Sequence, residues 1–401
     1  MPLVERPSRY LGNEINTIRK DLSKTALKFA LAFPDLYEIG TSHFGLQILY
    51  QVLNGHSDIA AERVFAPAED VEAMLRSSDL PLTSLETHTP LKKFDIIGFS
   101  LLYELNYTNI LTILDLAGIP FFARERDQGV PLVVGGGPCT CNPEPLADYF
   151  DAFVIGDGEV VALEMAEAWL TCRKTGAVDK AAVLDAWSSM TGVYIPSKLP
   201  VRYNHSGFQE IHPSVAASNQ KSATVKKAVL PDLDSAVFPR APILPYGKPV
   251  HDRLRLEVSR GCTRGCRFCQ AGMIYRPVRE RSAATLMEVC RASLDRTGYE
   301  DISLLSLSTG DYSCIGSLMA GLMDAFAADH TAVSLPSLRA GTLTPELMAL
   351  VKRVRKTGFT IAPEAGSQRL RNVINKNITR DEIIETVKNA FGLGWQVIKL
   401  Y

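Results

Sequence analysis

The sequence predicts an α/β protein with two successive domains, each built on a parallel sheet. Short apolar runs alternate with amphipathic segments over residues 27–172, and the same alternation resumes after residue 253. Continuous apolar strands that alternate with helices indicate a parallel sheet covered on both faces. The chain of 401 residues is also longer than one hydrophobic core usually organises. We therefore expect one domain at 20–175 and a second at 251–401.

The first domain is expected to hold four buried strands and two principal helices. The strands are residues 27–33, 94–100, 131–137 and 151–156, and the helices are 44–53 and 159–170. Ligands of such sheets bind outside the carboxyl ends of the strands. Ser100, Gly135 and Gly136 fall at those ends, so they are candidate binding residues. Residues 176–250 are rich in Pro, Ser and Asn, which predicts an irregular interdomain connection with a small hairpin near 203–208.

The second domain is expected to be a series of right-handed βα units with its site at the carboxyl ends of the strands. The strands are residues 253–258, 302–307, 332–338, 360–362 and 396–401, and the helices are 283–296, 315–328, 345–355 and 380–393. No helix follows the last strand. We therefore expect an incomplete barrel that is truncated at its C-terminus.

Composition sets limits on partners and location. Lys plus Arg number 43 and Asp plus Glu number 44, so the net charge of -1 does not indicate a nucleic-acid partner. The first 24 residues are polar and lack a secretory signal. No apolar run reaches the roughly 18–20 residues that a membrane helix needs. We expect a cytoplasmic protein without a membrane partner.

Three of the eight cysteines, Cys262, Cys266 and Cys269, lie within eight residues on the loop after the first strand of the second domain. Such crowding indicates a metal site. Three thiolates can bind three irons of a cubane cluster and leave the fourth iron open. A zinc site completed by His251 is the alternative, although zinc motifs usually bring a second cysteine pair. Cys290 and Cys314, in or beside helices, are expected to be core residues.

The pattern C-x3-C-x-aromatic-C after a strand resembles the radical SAM superfamily. The domain order resembles an uncharacterised subfamily with an N-terminal cobalamin (B12)-binding-like domain of Rossmann or flavodoxin type. The resemblance implies a [4Fe–4S] cluster on the three cysteines, with S-adenosylmethionine (SAM) on the open iron. It implies reductive cleavage of SAM to a 5′-deoxyadenosyl radical, chemistry on an unknown substrate, and an electron donor such as flavodoxin or ferredoxin.

The resemblance also implies a SAM pocket. Its candidate residues are Phe268, Ser308, Gly310, Asp311, Glu364, Ser367 and Arg369. Phe268 would cover the cluster and contact the adenine. Asp311 would take the methionine ammonium, Glu364 the ribose hydroxyls and Arg369 the carboxylate. The alternatives are a turn acid for Asp311 and a helix cap for Ser367. Six arginines surround the cysteines, where they offset the cluster charge, reach an anionic substrate or form a solvated basic loop: Arg260, Arg264, Arg267, Arg276, Arg279 and Arg281.

Cobalamin is possible in the first domain, but the family motif D-x-H-x-x-G is broken. His43 is present, whereas Thr41 and Leu46 stand at the Asp and Gly positions. We expect the domain to keep this fold and to bind any cobalamin without a histidine on cobalt. Ser100 begins an S-x-L match, and Gly135 and Gly136 supply the glycine pair expected near a nucleotide tail. Residues 156–159 resemble the segment that closes this domain in the family. The alternative is that these glycines only shape the strand ends.

Two further interpretations stay open at this point. One is a non-catalytic module that keeps an iron–sulfur cluster or another cofactor without cleaving SAM. The other is a methylthiotransferase-like enzyme, which would carry a second cluster on Cys139, Cys141 and Cys172. Release of 5′-deoxyadenosine separates an enzyme from a binding module.

Overall fold

The structure is a computed structural model that describes residues 4–401 apart from 128, 175, 177, 178, 200, 212–223, 337, 343 and 355–358. The chain divides into two compact units. The first comprises Met1–Leu230 and Ile243–Val250, and the second comprises Pro231–Pro242 and His251–Tyr401.

The first unit is built on a six-stranded sheet with helices on both faces. The elements are β1 (Leu27–Phe33), α1 (Tyr37–Gly40), α2 (Phe44–Gly55), β2 (Ile59–Phe65), α3 (Glu69–Ser77), β3 (Ile96–Ser100), α4 (Tyr107–Leu116), β4 (Leu132–Gly136), β5 (Ala152–Val154), α5 (Gly158–Lys174), α6 (Lys180–Ser188) and β6 (Val193–Tyr194). The strand order is β2-β1-β3-β4-β5-β6. All neighbouring strands are parallel except β5 and β6, which are antiparallel. The predicted α/β class is confirmed.

Strand β1, the second strand of the sheet, is buried on both faces. Leu27, Phe29 and Leu31 join one hydrophobic cluster, whereas Ala30 and Ala32 join the cluster on the opposite face. This two-sided burial explains why the strand is apolar apart from the partly buried Lys28 near its start.

Strand β2 was not predicted because it contains two charged residues, Glu62 and Arg63. Both are buried. The Arg63 guanidinium lies 2.6 Å from a Glu86 carboxylate oxygen and 3.0 Å from a Glu14 carboxylate oxygen. A paired charge can occupy an interior position. The hydrophobic pattern therefore breaks here while the strand continues.

The expectation of an irregular connection over 176–250 is wrong for its first part. Helix α6 and strand β6 belong to the fold of the first unit, and the Trp187 indole N–H of α6 donates to the Met165 carbonyl oxygen of α5 at 2.9 Å. Beyond them, β7 (Val201–Tyr203) and β8 (Gln209–Ile211) form an antiparallel hairpin, as predicted.

The second unit contains short parallel strands and covering helices. Its elements are β9 (Leu254–Glu257), β10 (Ser259–Arg260), α7 (Ala271–Ile274), β11 (Arg279–Glu280), α8 (Ala283–Thr297), β12 (Asp301–Leu305), α9 (Ile315–Phe326), β13 (Ala332–Ser334), α10 (Pro345–Lys352), β14 (Phe359–Ile361), α11 (Gln368–Val373), α12 (Arg380–Gly392) and β15 (Ile398–Leu400). Strands β13, β12 and β9 form one parallel sheet in that order, and β14 pairs in parallel with β15. The five predicted strands and four predicted helices are present, with shifted ends. Residue 337 of the third predicted strand and residue 355 of the third predicted helix lie outside the described residues.

Parallel pairing brings the loops of the second unit to one edge. In β9, Leu254 and Leu256 are buried, and they pair in register with Ile302 and Leu304 of β12. The loops that follow β12 and β13 therefore begin at the same edge as the cysteine segment. Of the helices that the structure describes, none is long and apolar enough to cross a membrane.

Candidate active site

The three cysteines Cys262, Cys266 and Cys269 lie on a loop between β10 and α7, and each is partly exposed and free of disulfides. Backbone N–H groups point at two of the sulfurs. The Arg264 N–H donates to Cys262 Sγ at 3.5 Å, and the Gly272 N–H donates to Cys269 Sγ at 3.4 Å. Such N–H···S bonds stabilise thiolates and tune iron–sulfur clusters. We call residues 262–269 the cysteine loop.

A zinc ion and an iron–sulfur cluster make different demands on the three cysteines. Among the described residues, no group of three His, Cys, Asp or Glu side chains could hold a single metal ion. Mononuclear zinc needs its ligands within about 2.0–2.3 Å of one centre. A cubane cluster instead places each thiolate on a different iron. The two alternatives therefore differ in what they require of the cysteines: zinc with His251 needs all ligands on one ion, whereas a cluster needs each thiolate on its own iron.

A glycine makes the turn that leads into the cysteine loop. Gly261 has φ +93°, and a Cβ there would lie 2.6 Å from the Tyr275 carbonyl oxygen and 2.7 Å from the Pro277 carbonyl oxygen. Any other residue would be strained at this φ and would clash with backbone atoms. The turn thus sets where Cys262 begins the loop.

Asp311, the predicted ammonium ligand, forms an ion pair with Arg264 of the cysteine loop. Arg264 Nε donates to Asp311 Oδ2 at 2.8 Å, and Arg264 Nη2 donates to Asp311 Oδ1. The Ser308 hydroxyl donates to Asp311 Oδ2 at 2.6 Å. Burial acts to raise the pKa of Asp311, but the bonds from Arg264 and Ser308 outweigh it and hold that pKa below its usual value. The carboxylate is therefore charged and adjacent to the cysteines.

Gly310 has a packing role. A Cβ at Gly310 would lie 2.2 Å from the Thr342 side-chain oxygen, so the loop after β12 can touch the loop after β13 only because this residue lacks a side chain. Thr342 in turn donates its hydroxyl to the Arg339 carbonyl oxygen at 2.9 Å. Gly310 thus holds two site loops against each other.

Sequence analysis missed Arg339, a buried residue on the loop after β13. Its guanidinium donates to the Asn377 carbonyl oxygen. Burial and the positive charge of Arg264 lower the pKa of Arg339, while the negative charges of Cys266 and Asp311 act in the opposite direction. Arg339 therefore brings a second cation to the cysteine loop. No sequence motif marks it.

The segment after β14 holds two of the predicted pocket residues. Glu364 has φ +67° and forms an ion pair with Lys376 at 3.1 Å. The Lys376 ammonium lies 5.8 Å from the ring centroid of Phe268, which is 54 % exposed on the cysteine loop. Glu364 thus connects to the cysteine loop through Lys376. The Ser367 hydroxyl accepts from the Leu370 N–H at 3.2 Å, so it caps α11.

The two arginines of α11 differ in environment. Arg369, the predicted carboxylate ligand, is exposed. Arg371 is 2 % exposed. Its guanidinium donates to the carbonyl oxygens of Ala365 at 2.8 Å, Gly366 at 3.0 Å and Ile378 at 2.8 Å. Arg371 therefore fixes the loop that carries Glu364.

Most arginines around the cysteines make specific bonds, although Arg264 and Arg267 are also exposed to solvent. Their partners are a carboxylate or a backbone carbonyl: Glu257 for Arg260, Asp311 for Arg264, Val373 for Arg267, Pro277 for Arg279 and Leu233 for Arg281. These bonds connect the arginines to carboxylates and backbone carbonyls of the same unit.

In the first unit, Ser100 and Gly136 end two neighbouring strands and pair in register. A Cβ at Gly135 would lie 2.7 Å from Leu101 Cδ1 and 2.8 Å from Phe153 Cδ1, whereas a Cβ at Gly136 would meet nothing within 4 Å. Gly135 is therefore needed for packing, and Gly136 faces open space. Gly156 likewise has a packing role, because its Cβ would lie 2.1 Å from the Ala228 carbonyl oxygen.

His43 is the N-cap of α2. Its Nδ1 accepts a hydrogen bond from the Leu46 N–H at 3.2 Å, and its ring packs at 5.5 Å from that of Phe33. In the neutral imidazole this bond assigns the proton to Nε2. A metal on Nε2 would require this proton to move to Nδ1, which would break the cap bond.

Comparison with known proteins identifies the family. Residues 256–401 match the family described as "Radical SAM superfamily", and residues 45–196 match the one described as "Radical SAM proteins, N-terminal". The uncharacterized protein MJ0966 of Methanocaldococcus jannaschii is 30 % identical over 374 residues, which cover 93 % of this chain and 68 % of that protein. The chain belongs to the radical SAM superfamily.

Solved radical SAM enzymes share its fold. The radical SAM methyltransferase TsrM from Kitasatospora setae, with tryptophan substrate and a SAM analog bound, superposes with a TM-score of 0.57 at 15 % identity, over 94 % of this chain and 67 % of that one. The cobalamin-dependent SAM radical enzyme OxsB, with aqua-cobalamin and SAM bound, gives 0.58 at 15 % identity, over 94 % of this chain and 49 % of that one. The chain thus spans about half the length of OxsB. The radical SAM family assignment makes it an enzyme.

The remaining cysteines do not assemble a second site in this radical SAM protein. Cys139 joins the hydrophobic cluster on one face of the sheet, and Cys172 packs against the cluster on the other face. The second-cluster set of a methylthiotransferase-like enzyme is thus divided by the sheet. Cys290 is buried, as predicted, whereas Cys314 is exposed beside the start of α9, so its assignment to the core is wrong.

Proposed function

We propose that the second unit binds a [4Fe–4S] cluster on Cys262, Cys266 and Cys269 and SAM at the iron without a protein thiolate. The observation that carries this proposal is the cysteine loop itself: three partly exposed thiols after the first barrel strand, with N–H donors at two sulfurs. When bound, the cluster supplies the electron that cleaves SAM reductively. The substrate of the resulting radical chemistry is unknown.

The pocket for SAM is proposed from the loops that meet the cysteine loop. Asp311 contacts it through Arg264, and Glu364 contacts it through Lys376 and Phe268. Asp311 is a charged acceptor suited to the methionine ammonium. Glu364 is suited to ribose hydroxyls. In this proposal Phe268 covers the adenine side, Ser308 and Gly310 shape the loop, Ser367 fixes its helix, and exposed Arg369 reaches the carboxylate.

An external electron donor is part of the same proposal. All three cysteines are partly exposed, and Phe268 beside them is exposed. A small protein such as flavodoxin or ferredoxin can therefore approach the cluster. All eight cysteines are free, which suits a reducing compartment and supports a cytoplasmic location.

The test is anaerobic reconstitution of the full chain with iron and sulfide, followed by EPR of the reduced protein. We expect a [4Fe–4S] signal that changes when SAM is added. Replacing Cys262, Cys266 or Cys269 by Ala should abolish that signal, whereas Cys141→Ala should retain it. A signal that survives in all three loop variants would refute the ligand assignment. A cluster that forms without any response to SAM would favour the non-catalytic module.

We further propose that the first unit binds cobalamin without a histidine on cobalt. The open space at Gly136, beside Ser100 at the carboxyl end of the sheet, is suited to a nucleotide tail, and the chain resembles the cobalamin-dependent enzyme OxsB in fold over 94 % of its length. His43 is already used as a helix cap. Coordination of cobalt by this imidazole would compete with the cap bond.

Titration with hydroxocobalamin, followed by visible absorption, tests this second proposal. His43→Asn keeps an N-cap side chain but removes the imidazole, so we expect unchanged binding. Gly136→Val fills the open space and should weaken binding. Loss of tight binding in His43→Asn would contradict the absence of a histidine ligand. No binding by the unmodified chain would refute the cobalamin proposal and leave the unit as a scaffold or docking surface.

A further inference from the structure

The residues between the three cysteines make the contacts that hold the cysteine loop. Arg264, Gly265 and Arg267 occupy variable positions of the motif, so the motif itself assigns them no task. In the structure, however, Arg264 reaches the loop after β12, while Gly265 and Arg267 reach the turn after α11. The cysteine loop is thus attached on two sides.

The first attachment is the ion pair of Arg264 with Asp311. Both guanidinium nitrogens of the fork engage the carboxylate, and Ser308 adds a third hydrogen bond. A carboxylate offers about four acceptor sites. Three are therefore used within the protein, and about one remains for a SAM ammonium. Holding Arg264 is the larger part of what Asp311 does.

The second attachment is the turn that follows α11. The Asn375 side-chain amide donates to the Gly265 carbonyl oxygen at 2.8 Å. The Arg267 N–H donates to the Ile374 carbonyl oxygen at 3.0 Å, and Arg267 Nη1 donates to the Val373 carbonyl oxygen at 2.5 Å. Asn375 has φ +54°, a left-handed conformation that asparagine tolerates better than most residues.

We infer that Asp311 and Asn375 are positioning residues that clamp the cysteine loop from two different loops and slow the loss of its cluster. The inference rests on the proposed function, because it presumes a cluster on Cys262, Cys266 and Cys269. It assigns Asp311 a role that does not depend on SAM. Residues that orient metal ligands commonly change metal affinity when they are replaced.

The experiment measures iron release from the anaerobically reconstituted full chain to a ferrous chelator, without SAM. The variants are Asp311→Asn, Arg264→Gln, Asn375→Gly and the reversed pair D311R/R264D. Glycine at 375 keeps the positive φ and removes only the side-chain donor. The matched control is Asp324→Asn, which breaks the 2.7 Å ion pair with Arg353 on the helical surface of the same unit. Thermal melting of each apo-protein confirms that it folds.

We expect the three single variants of the clamp to release iron about 10-fold faster than the unmodified chain. The reversed pair should restore slow release, and the control should match the unmodified chain. Wild-type release rates in both Asp311→Asn and Asn375→Gly would overturn the clamp. Weaker SAM binding in Asp311→Asn at an unchanged release rate would make Asp311 a ligand only and would also overturn it. If the unmodified chain takes up no cluster, the proposed function itself fails.

Discussion

Replacing Arg371 tests whether the loop after β14 is held by one buried side chain. Arg371→Gln removes the guanidinium that bonds Ile378, Ala365 and Gly366. A glutamine amide can satisfy at most one or two of these carbonyls. Hydrogen bonds from a charged donor contribute about 1.5–3 kcal/mol each. We therefore expect the free energy of unfolding of the second unit to fall by about 3–5 kcal/mol.

The assay is calorimetric unfolding of the full chain, with Arg369→Gln as the matched control on the same helix. At roughly 2–4 °C per kcal/mol for a unit of this size, the second unit of Arg371→Gln should melt about 10 °C lower. Arg369 is exposed, so its variant should melt like the unmodified chain and lose only SAM affinity. Unchanged melting of Arg371→Gln, or an equal decrease in the control, would refute the reasoning.

Two further predictions concern cysteine reactivity and glycine packing. Burial raises the pKa of Cys290 to about 12. Iodoacetamide at neutral pH should therefore label the exposed Cys141 and Cys314 and spare Cys290. Labelling of Cys290 at the same rate, measured by mass spectrometry, would contradict its burial. Gly135→Ala should cost about 1–3 kcal/mol in urea unfolding because its Cβ meets Leu101 and Phe153, whereas Gly136→Ala should stay within about 0.5 kcal/mol. Equal losses in both glycine variants would show that neighbouring side chains move aside.

The fold was predictable where the core is apolar. Strand β1 matches its predicted bounds because both of its faces pack against hydrophobic clusters. Strand β2 was not predictable, because Arg63 becomes a core residue only through Glu14 and Glu86, which are distant in sequence. Helix α6 was missed because a Pro-rich segment follows it from Pro196 onward, although the helix itself contains no proline and Asp179 caps its start.

The candidate site was predictable only where chemistry is local in sequence. The cysteine spacing is such a signal. The Arg264–Asp311 ion pair joins residues 47 positions apart, and no pattern indicates it. The family motif pointed to Arg369, whereas the buried arginine is Arg371, two residues later. Arg371 is buried because its guanidinium binds backbone carbonyls of the preceding loop, and the sequence does not show those contacts. Arg339 could be identified only from the structure, which places it on the loop after β13.

The most direct measurement of the central claim is 5′-deoxyadenosine release. The full chain is reconstituted anaerobically, mixed with SAM and a low-potential reductant, and its products are separated by liquid chromatography with mass detection. We predict that 5′-deoxyadenosine accumulates with the unmodified chain and is absent with Cys266→Ala. No 5′-deoxyadenosine from a chain that holds an intact [4Fe–4S] cluster, or equal release by Cys266→Ala, would contradict the account.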